Sequence, residues 1–158
     1  MIEKKTVINE LKANIQKELD LAKQAYDTSH KHATDQDLKA DGKYDTRSIE
    51  AGYLAGAQMK RVNELEEEFK LIEEVNIDHK PDMVSVGSLI SLRHNGQERF
   101  YFISSTSGGT MINVEGQVVL IISAFSPIGT EVLSLKAGES FEVEVAGKTR
   151  EYDLIGIW

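Results

Sequence analysis

Asp35, Asp37, Asp41 and Asp45 fall within one sixteen-residue stretch, HATDQDLKADGKYDTR. Carboxylates held on a rigid support bind divalent cations, with Mg²⁺ preferred where water completes the shell. A cation so held can activate water for phosphodiester hydrolysis. The same four residues also suit an ordinary solvated turn, because Asp favours turns and helix ends. A calcium loop does not fit: the spacing of Asp35, Asp37 and Asp41 is wrong and the bidentate Glu is missing. His30, His32, His79 and His94 form no ligand pair, and His30 and His32, two apart, point to different faces of a helix. No Gly-rich phosphate loop follows a strand, and Ser107-Gly108-Gly109 reads as a flexible loop. No Ser or Cys nucleophile motif is present. The chain carries acidic groups but no complete active site of its own.

Two helices must position those aspartates. Ile8, Leu11, Ile15, Leu19, Ala22 and Tyr26 recur at three- and four-residue steps and form one apolar stripe. Leu54, Gln58, Val62, Leu65, Phe69 and Ile72 form a second. Each stripe is narrow, as in a two-helix seam. A turn between them folds the pair into a long antiparallel coiled-coil hairpin with its acidic tip near residues 35–46. At about 1.5 Å per residue the arms are roughly 50 Å long. Ala51, Gly52, Ala55, Gly56 and Ala57 are expected to let the backbones approach closely near the tip. The run Glu64, Glu66, Glu67 and Glu68 reads as a solvated helix face.

The two prolines, Pro81 and Pro127, both lie beyond residue 80. Because a residue before proline is pushed out of helical geometry, the second helix is expected to end near residues 78–80. The domain boundary is placed there, giving a helical domain over 1–80 and a β-rich domain over 81–158. In the latter, Asn95-Gly96, Glu115-Gly116 and Ala146-Gly147 separate alternating segments and read as hairpin turns. Ser126-Pro127 opens a short helix, roughly 127–135, with Ser as its cap and Pro at its first position. The expected class is α+β: a helical hairpin, then an antiparallel sheet with one covering helix. Trp158 is expected to anchor the last strand.

Composition narrows the function. The chain has 158 residues, a net charge of −8 and no cysteine. Disulfides and thiolate metal sites are therefore excluded. Residues 1–80 hold 13 Lys/Arg against 17 Asp/Glu, and residues 81–158 hold 5 against 9, so neither half is a basic arm for coating nucleic acid. No apolar run approaches the length of a membrane helix, and the charged N-terminus does not read as a secretory signal. A cytoplasmic protein with no membrane partner is expected.

Residues 122–157, ISAFSPIGTEVLSLKAGESFEVEVAGKTREYDLIGI, resemble the C-terminal end of the Gre transcription elongation factors. The shared features are Ser126-Pro127-Ile128-Gly129, Leu133, Lys136, Gly138-Glu139 and Tyr152-Asp153-Leu154. Val86-Gly87-Ser88 resembles the start of the same domain, and the order of hairpin then β domain also matches. The family tip has the pattern Asp-Leu-x-Glu-Asn-x-x-Tyr. Here Asp37, Leu38 and Tyr44 match it, whereas Ala40 stands at the Glu position and Asp41 at the Asn position.

The resemblance implies an FKBP-like C-terminal domain that docks at the rim of the secondary channel of bacterial RNA polymerase, with Ser126 and Pro127 in the contact. It implies that the hairpin reaches the polymerase active site and acts on the extruded 3′ end of backtracked RNA. Asp37 and Asp41 would then assist catalysis by helping to hold an Mg²⁺ ion shared with the polymerase, and Leu38, Tyr44 and Asp45 would support the tip. The free protein would need no cofactor and would be a monomer, a helper of another enzyme's hydrolysis and not an enzyme. Because of Ala40, a regulator that docks without stimulating cleavage, or inhibits it, stays open. So do two further classes. One is an FKBP-like prolyl isomerase or chaperone whose pocket draws on Phe100, Tyr101, Phe102, Phe125 and Phe141. The other is a coiled-coil scaffold that dimerises through the hairpin.

Overall fold

The computed structural model describes residues 2–34, 46–78 and 80–158. The elements in chain order are α1 (Lys4–Thr34), α2 (Thr46–Glu73), β1 (Leu89–His94), β2 (Gln97–Ser104), β3 (Met111–Val114), β4 (Gln117–Ser123), α3 (Pro127–Val132), β5 (Ser140–Val145) and β6 (Lys148–Ile157). The class is α+β, a helical hairpin followed by a sheet with one short helix. The chain forms two compact units, Ala13–Phe69 and Met1–Lys12 with Lys70–Trp158. These packing units cut across the two long helices, whereas the boundary at residue 80 follows the change in composition.

In the helical unit the first stripe is seated as its spacing requires: Ile15, Leu19 and Ala22 are buried. The second stripe is buried at Val62 and Leu65, but its upper member is Ala55 and not Leu54, which is 51% exposed. Positions 55, 58, 62, 65 and 69 keep the alternating three- and four-residue step, and Leu54 lies one residue out of phase. The small residues do not bring the backbones together as a group. Among the described residues, a Cβ added at Gly52 or Gly56 would meet nothing within 4 Å. Ion pairs Arg61–Glu18 and Lys23–Glu66, each at 2.9 Å, join the helices. Exposed pairs contribute only about 0.2–1 kcal/mol each, so the apolar seam holds the hairpin.

The end of α2 differs from expectation. It stops at Glu73, several residues ahead of Pro81. Asn76 accepts a hydrogen bond on its side chain from the Asp78 backbone at 3.1 Å, a local turn that competes with the helix. Gly87, at φ +90°, packs against this segment: a Cβ there would lie 2.7 Å from the Asn76 carbonyl oxygen. Close approach and backbone sign both demand glycine.

The six strands form one sheet in the order β3-β4-β2-β1-β6-β5. Four neighbour pairs are antiparallel, but β2 and β4 run parallel, Phe100 opposite Val119 through Ser104 opposite Ser123. The sheet is thus mixed. β3 and β4 enter it as a unit, with β4 inserted beside β2 and β3 left at the edge. The three expected turns are present, and both residues of each have positive φ, from 51° at Asn95 to 82° at Gly116. This is the handedness that two-residue hairpins need.

One face of the sheet is covered by α3 and its flanks. Ile90, Leu92, Ile103, Ile122, Val132, Phe141 and Leu154 are buried together there. Phe102, Leu89, Val119 and Ile121 point to the other face and are also fully buried. Burial on both faces explains why β2 and β4 read as continuous apolar runs rather than alternating ones. Trp158 exchanges backbone hydrogen bonds with Leu89, at 2.8 and 3.1 Å, which fixes the end of the chain to β1.

Candidate functional site

Ser126 and Pro127 are the expected docking residues that the structure describes. β4 ends at Ser123, and its carbonyl accepts from the Ser126 backbone N–H at 2.9 Å and from the Ser126 hydroxyl at 2.7 Å. The Ser126 Oγ in turn accepts from the Gly129 N–H at 3.1 Å. The hydroxyl is therefore a helix cap with both of its bonding roles engaged. Pro127 occupies the first helical position, where its missing N–H costs nothing. Gly129 is buried because a Cβ there would collide with the Ser123 carbonyl oxygen and press on Ala124. α3 ends at Val132, short of the expected residue 135, because Ser134 turns to φ +67° and donates its N–H to the Val84 carbonyl.

The tight cap has a consequence for the surface. Ser123 Oγ accepts from the Phe125 N–H at 3.2 Å, and the Phe125 ring stands out, 81% exposed. Pro127 beside it is exposed as well. On the same rim lies an apolar hollow of about 350 Å³, lined by Gly108, Gly109, Leu120, Pro127, Ile128 and Val145 among others. Phe125 thus adds an exposed apolar ring directly before the Ser-Pro pair.

The five aromatic residues considered for an isomerase pocket do not assemble. Tyr101 and Phe141 belong to the buried face under α3, Phe102 is fully buried on the opposite face, and Phe125 faces solvent. Phe100 instead packs near Trp158, with ring centroids 6.1 Å apart.

The acidic tip, with Asp35, Asp37, Leu38, Asp41, Tyr44 and Asp45, lies outside the described residues, as does His79. Among the described residues no group of three or more His, Asp or Glu is placed to hold a metal. His30 stacks on Tyr26 at 5.5 Å, a packing role within α1. None of the described helices is long and apolar enough to cross a membrane.

No protein-family profile matches the chain. Curated relatives do. The transcription elongation factor GreA of Christiangramia forsetii is 29% identical over 122 residues, covering 77% of this chain and 73% of the relative. That of Dehalococcoides mccartyi is 30% identical over 123 residues, covering 76% and 72%. Among solved structures, the GreA factor homolog 1 (Gfh1) of Thermus thermophilus aligns over 93% of this chain and 94% of its own at 15% identity, with a TM-score of 0.38. GreA/GreB of Nitrosomonas europaea aligns over 61% and 78% at 20% identity, with a TM-score of 0.37. With shared sequence running through about three quarters of the chain and of its relatives, this chain belongs to the GreA family of transcription elongation factors.

Proposed function

We propose that the protein binds bacterial RNA polymerase at its secondary channel and stimulates cleavage of backtracked RNA. The observation that supports this best is kinship over most of the chain with proteins named transcription elongation factor GreA. The β unit supplies the docking surface. Phe125 and Pro127 present adjoining apolar surface, and the Ser126 cap holds that surface rigid, which lowers the ordering cost of binding. The hairpin supplies the reach, and its tip supplies the carboxylates of Asp37 and Asp41. Bound at the polymerase centre, Mg²⁺ supplies Lewis acidity and an activated water. Asp37 and Asp41 add negative charge and hydrogen-bond acceptors where that ion and water are positioned. The protein is then a helper of the polymerase's own hydrolysis, a cytoplasmic monomer that needs no cofactor when free.

One sequence feature favours a second reading. Ala40 stands where the resemblance expects Glu, so a factor that docks and retunes the polymerase without cleavage is the alternative. Purified protein added to stalled, backtracked complexes separates the two. Shortened RNA, lost with Asp37→Asn and Asp41→Asn while polymerase binding is retained, supports cleavage. Intact RNA with polymerase still bound selects the alternative. No polymerase binding at all overturns both.

A further inference from the structure

The polar end of the sheet gathers a second cluster of polar side chains. Side chains alternate across a strand, so β1, β2 and β6 each carry the core face outward past α3. Along that face β1 runs Ile90, Leu92, His94; β2 runs Ile103, Tyr101, Arg99, Gln97; and β6 runs Leu154, Tyr152, Arg150, Lys148. The same alternation sends Glu98, Glu151, Asp153, Glu142 and Glu144 to the opposite face. Residues 81–158 contain only five Lys/Arg, and three of them, Arg99, Lys148 and Arg150, share this face. Most of the few cations of residues 81–158 thus share one surface.

His94, Asn95, Gln97, Arg99, Arg150 and the two tyrosines line a hollow of about 350 Å³. Tyr101 is 7% exposed and Tyr152 is 4% exposed, yet neither hydroxyl has a hydrogen-bond partner among the described residues. The hydroxyls are not sealed in, since the enclosed side-chain polar atom without a partner is Ser91 Oγ. They open on the hollow. Arg150 has no ion pair or hydrogen bond among the described residues, and Arg99 spends one N–H on Gln97 at 3.2 Å. His94 is committed: one ring nitrogen bonds the Glu151 carbonyl at 2.8 Å, and the ring stacks on Tyr152 at 4.8 Å. The free groups are therefore two guanidiniums and two hydroxyls, nearly all of them donors.

A wall of donors calls for a ligand made of acceptors. Guanidinium forks match phosphate oxygens bidentately. Arg99 and Tyr101 also line an adjoining hollow of about 440 Å³ whose other walls are Glu98, Phe100, Met111, Gln117, Val118 and Leu120. An oxyanion held at Arg150 and Tyr152, away from the Glu98 carboxylate, would leave the apolar part of this space for the body of the same molecule. We propose that this end of the sheet binds a phosphate monoester with an aromatic or apolar body, such as a nucleoside monophosphate. Burial raises the phenol pKa of Tyr101, and Tyr152 beside it adds to the rise, so the hydroxyl keeps its proton and remains a donor.

Calorimetric titration of the full chain with sodium phosphate and with AMP tests the site. Saturable AMP binding is expected, and Arg150→Gln raises its Kd at least about tenfold, the usual scale for a lost charge-assisted bond. Tyr152→Phe weakens it about fivefold. Lys136→Gln, which lines neither hollow, leaves it unchanged. AMP tighter than phosphate supports the proposal, whereas equal affinities overturn it, because the ligand's body would then contribute nothing. No binding of either probe at millimolar ligand overturns the site. Equal weakening by Lys136→Gln and Arg150→Gln also overturns it, because diffuse charge would then suffice. If Arg150→Gln fails to fold, amide shifts of the unmodified protein decide. Shifts centred on residues 94–101 and 150–152 support the site, and shifts centred elsewhere overturn it.

Discussion

Three single residues carry separable physical arguments. Ser91 is fully buried on β1, and its Oγ has no partner among the described residues. A buried hydroxyl without a partner loses its hydration and regains nothing. Ser91→Ala is therefore expected to stabilise the sheet by about 1 kcal/mol. Urea unfolding followed by Trp158, the single tryptophan, checks this as a higher midpoint at constant slope. Gly129 makes the opposite case. Gly129→Ala drives a methyl group into the Ser123 carbonyl oxygen and should cost about 2 kcal/mol, because backbone must move to admit it. Tyr101 gives a pH signature. Burial, with Tyr152 adding to it, raises its folded pKa above the unfolded 10.0. Its contribution to stability is complete below pH 10.0 and is lost as pH rises through the higher folded value. Unfolding scans above pH 10 should show a decline that is shallower in Tyr101→Phe.

At the scale of elements, two changes test why the chain folds as it does. Ala146 sits at φ +52° in the β5–β6 turn, a region that costs an L-residue roughly 1 kcal/mol and that Asn tolerates. Ala146→Asn should raise the urea midpoint of the sheet. Gly56 lies exposed in the middle of α2 with open space around it, so Gly56→Ala should stabilise the helix by about 0.8–1 kcal/mol, read from circular dichroism melting. Expected close packing at Gly56 would have made the same change harmful. That contrast shows what sequence discloses. Periodicity identified the stripe from Ile8 to Ala22, and the three turn pairs named the hairpins, because each is a local rule. Local rules did not place Leu54 in solvent and Ala55 in the seam, since both fit an apolar spacing and only the partner helix selects between them. Nor did they make β2 and β4 parallel, because two runs buried on both faces carry no mark of direction. The Ser126 cap was legible from Ser-Pro, whereas the exposed Phe125 was not, since an aromatic residue just after the apolar run of β4 reads first as core. The tyrosine and arginine surface stayed hidden because Arg99, Arg150 and His94 meet only through the strand register.

At the scale of the molecule, two compact units imply two kinds of defect. If docking belongs to the β unit and assistance to the hairpin tip, the variants should separate kinetically. Phe125→Ala removes an exposed aromatic ring without touching a core residue. It should raise the concentration of factor giving half-maximal RNA cleavage by about tenfold, the scale of losing a well-seated aromatic, and leave the rate at saturation unchanged. Asp37→Asn should do the reverse, lowering the saturated rate at an unchanged half-maximal concentration. The reasoning is that binding energy gained far from the reacting bond sets occupancy, whereas groups beside it act on the transition state. Titrating each variant against backtracked complexes gives both parameters in one experiment. If Phe125→Ala lowered the saturated rate and left occupancy alone, the β unit would be part of the catalytic arrangement, and the division of labour between the units would be wrong.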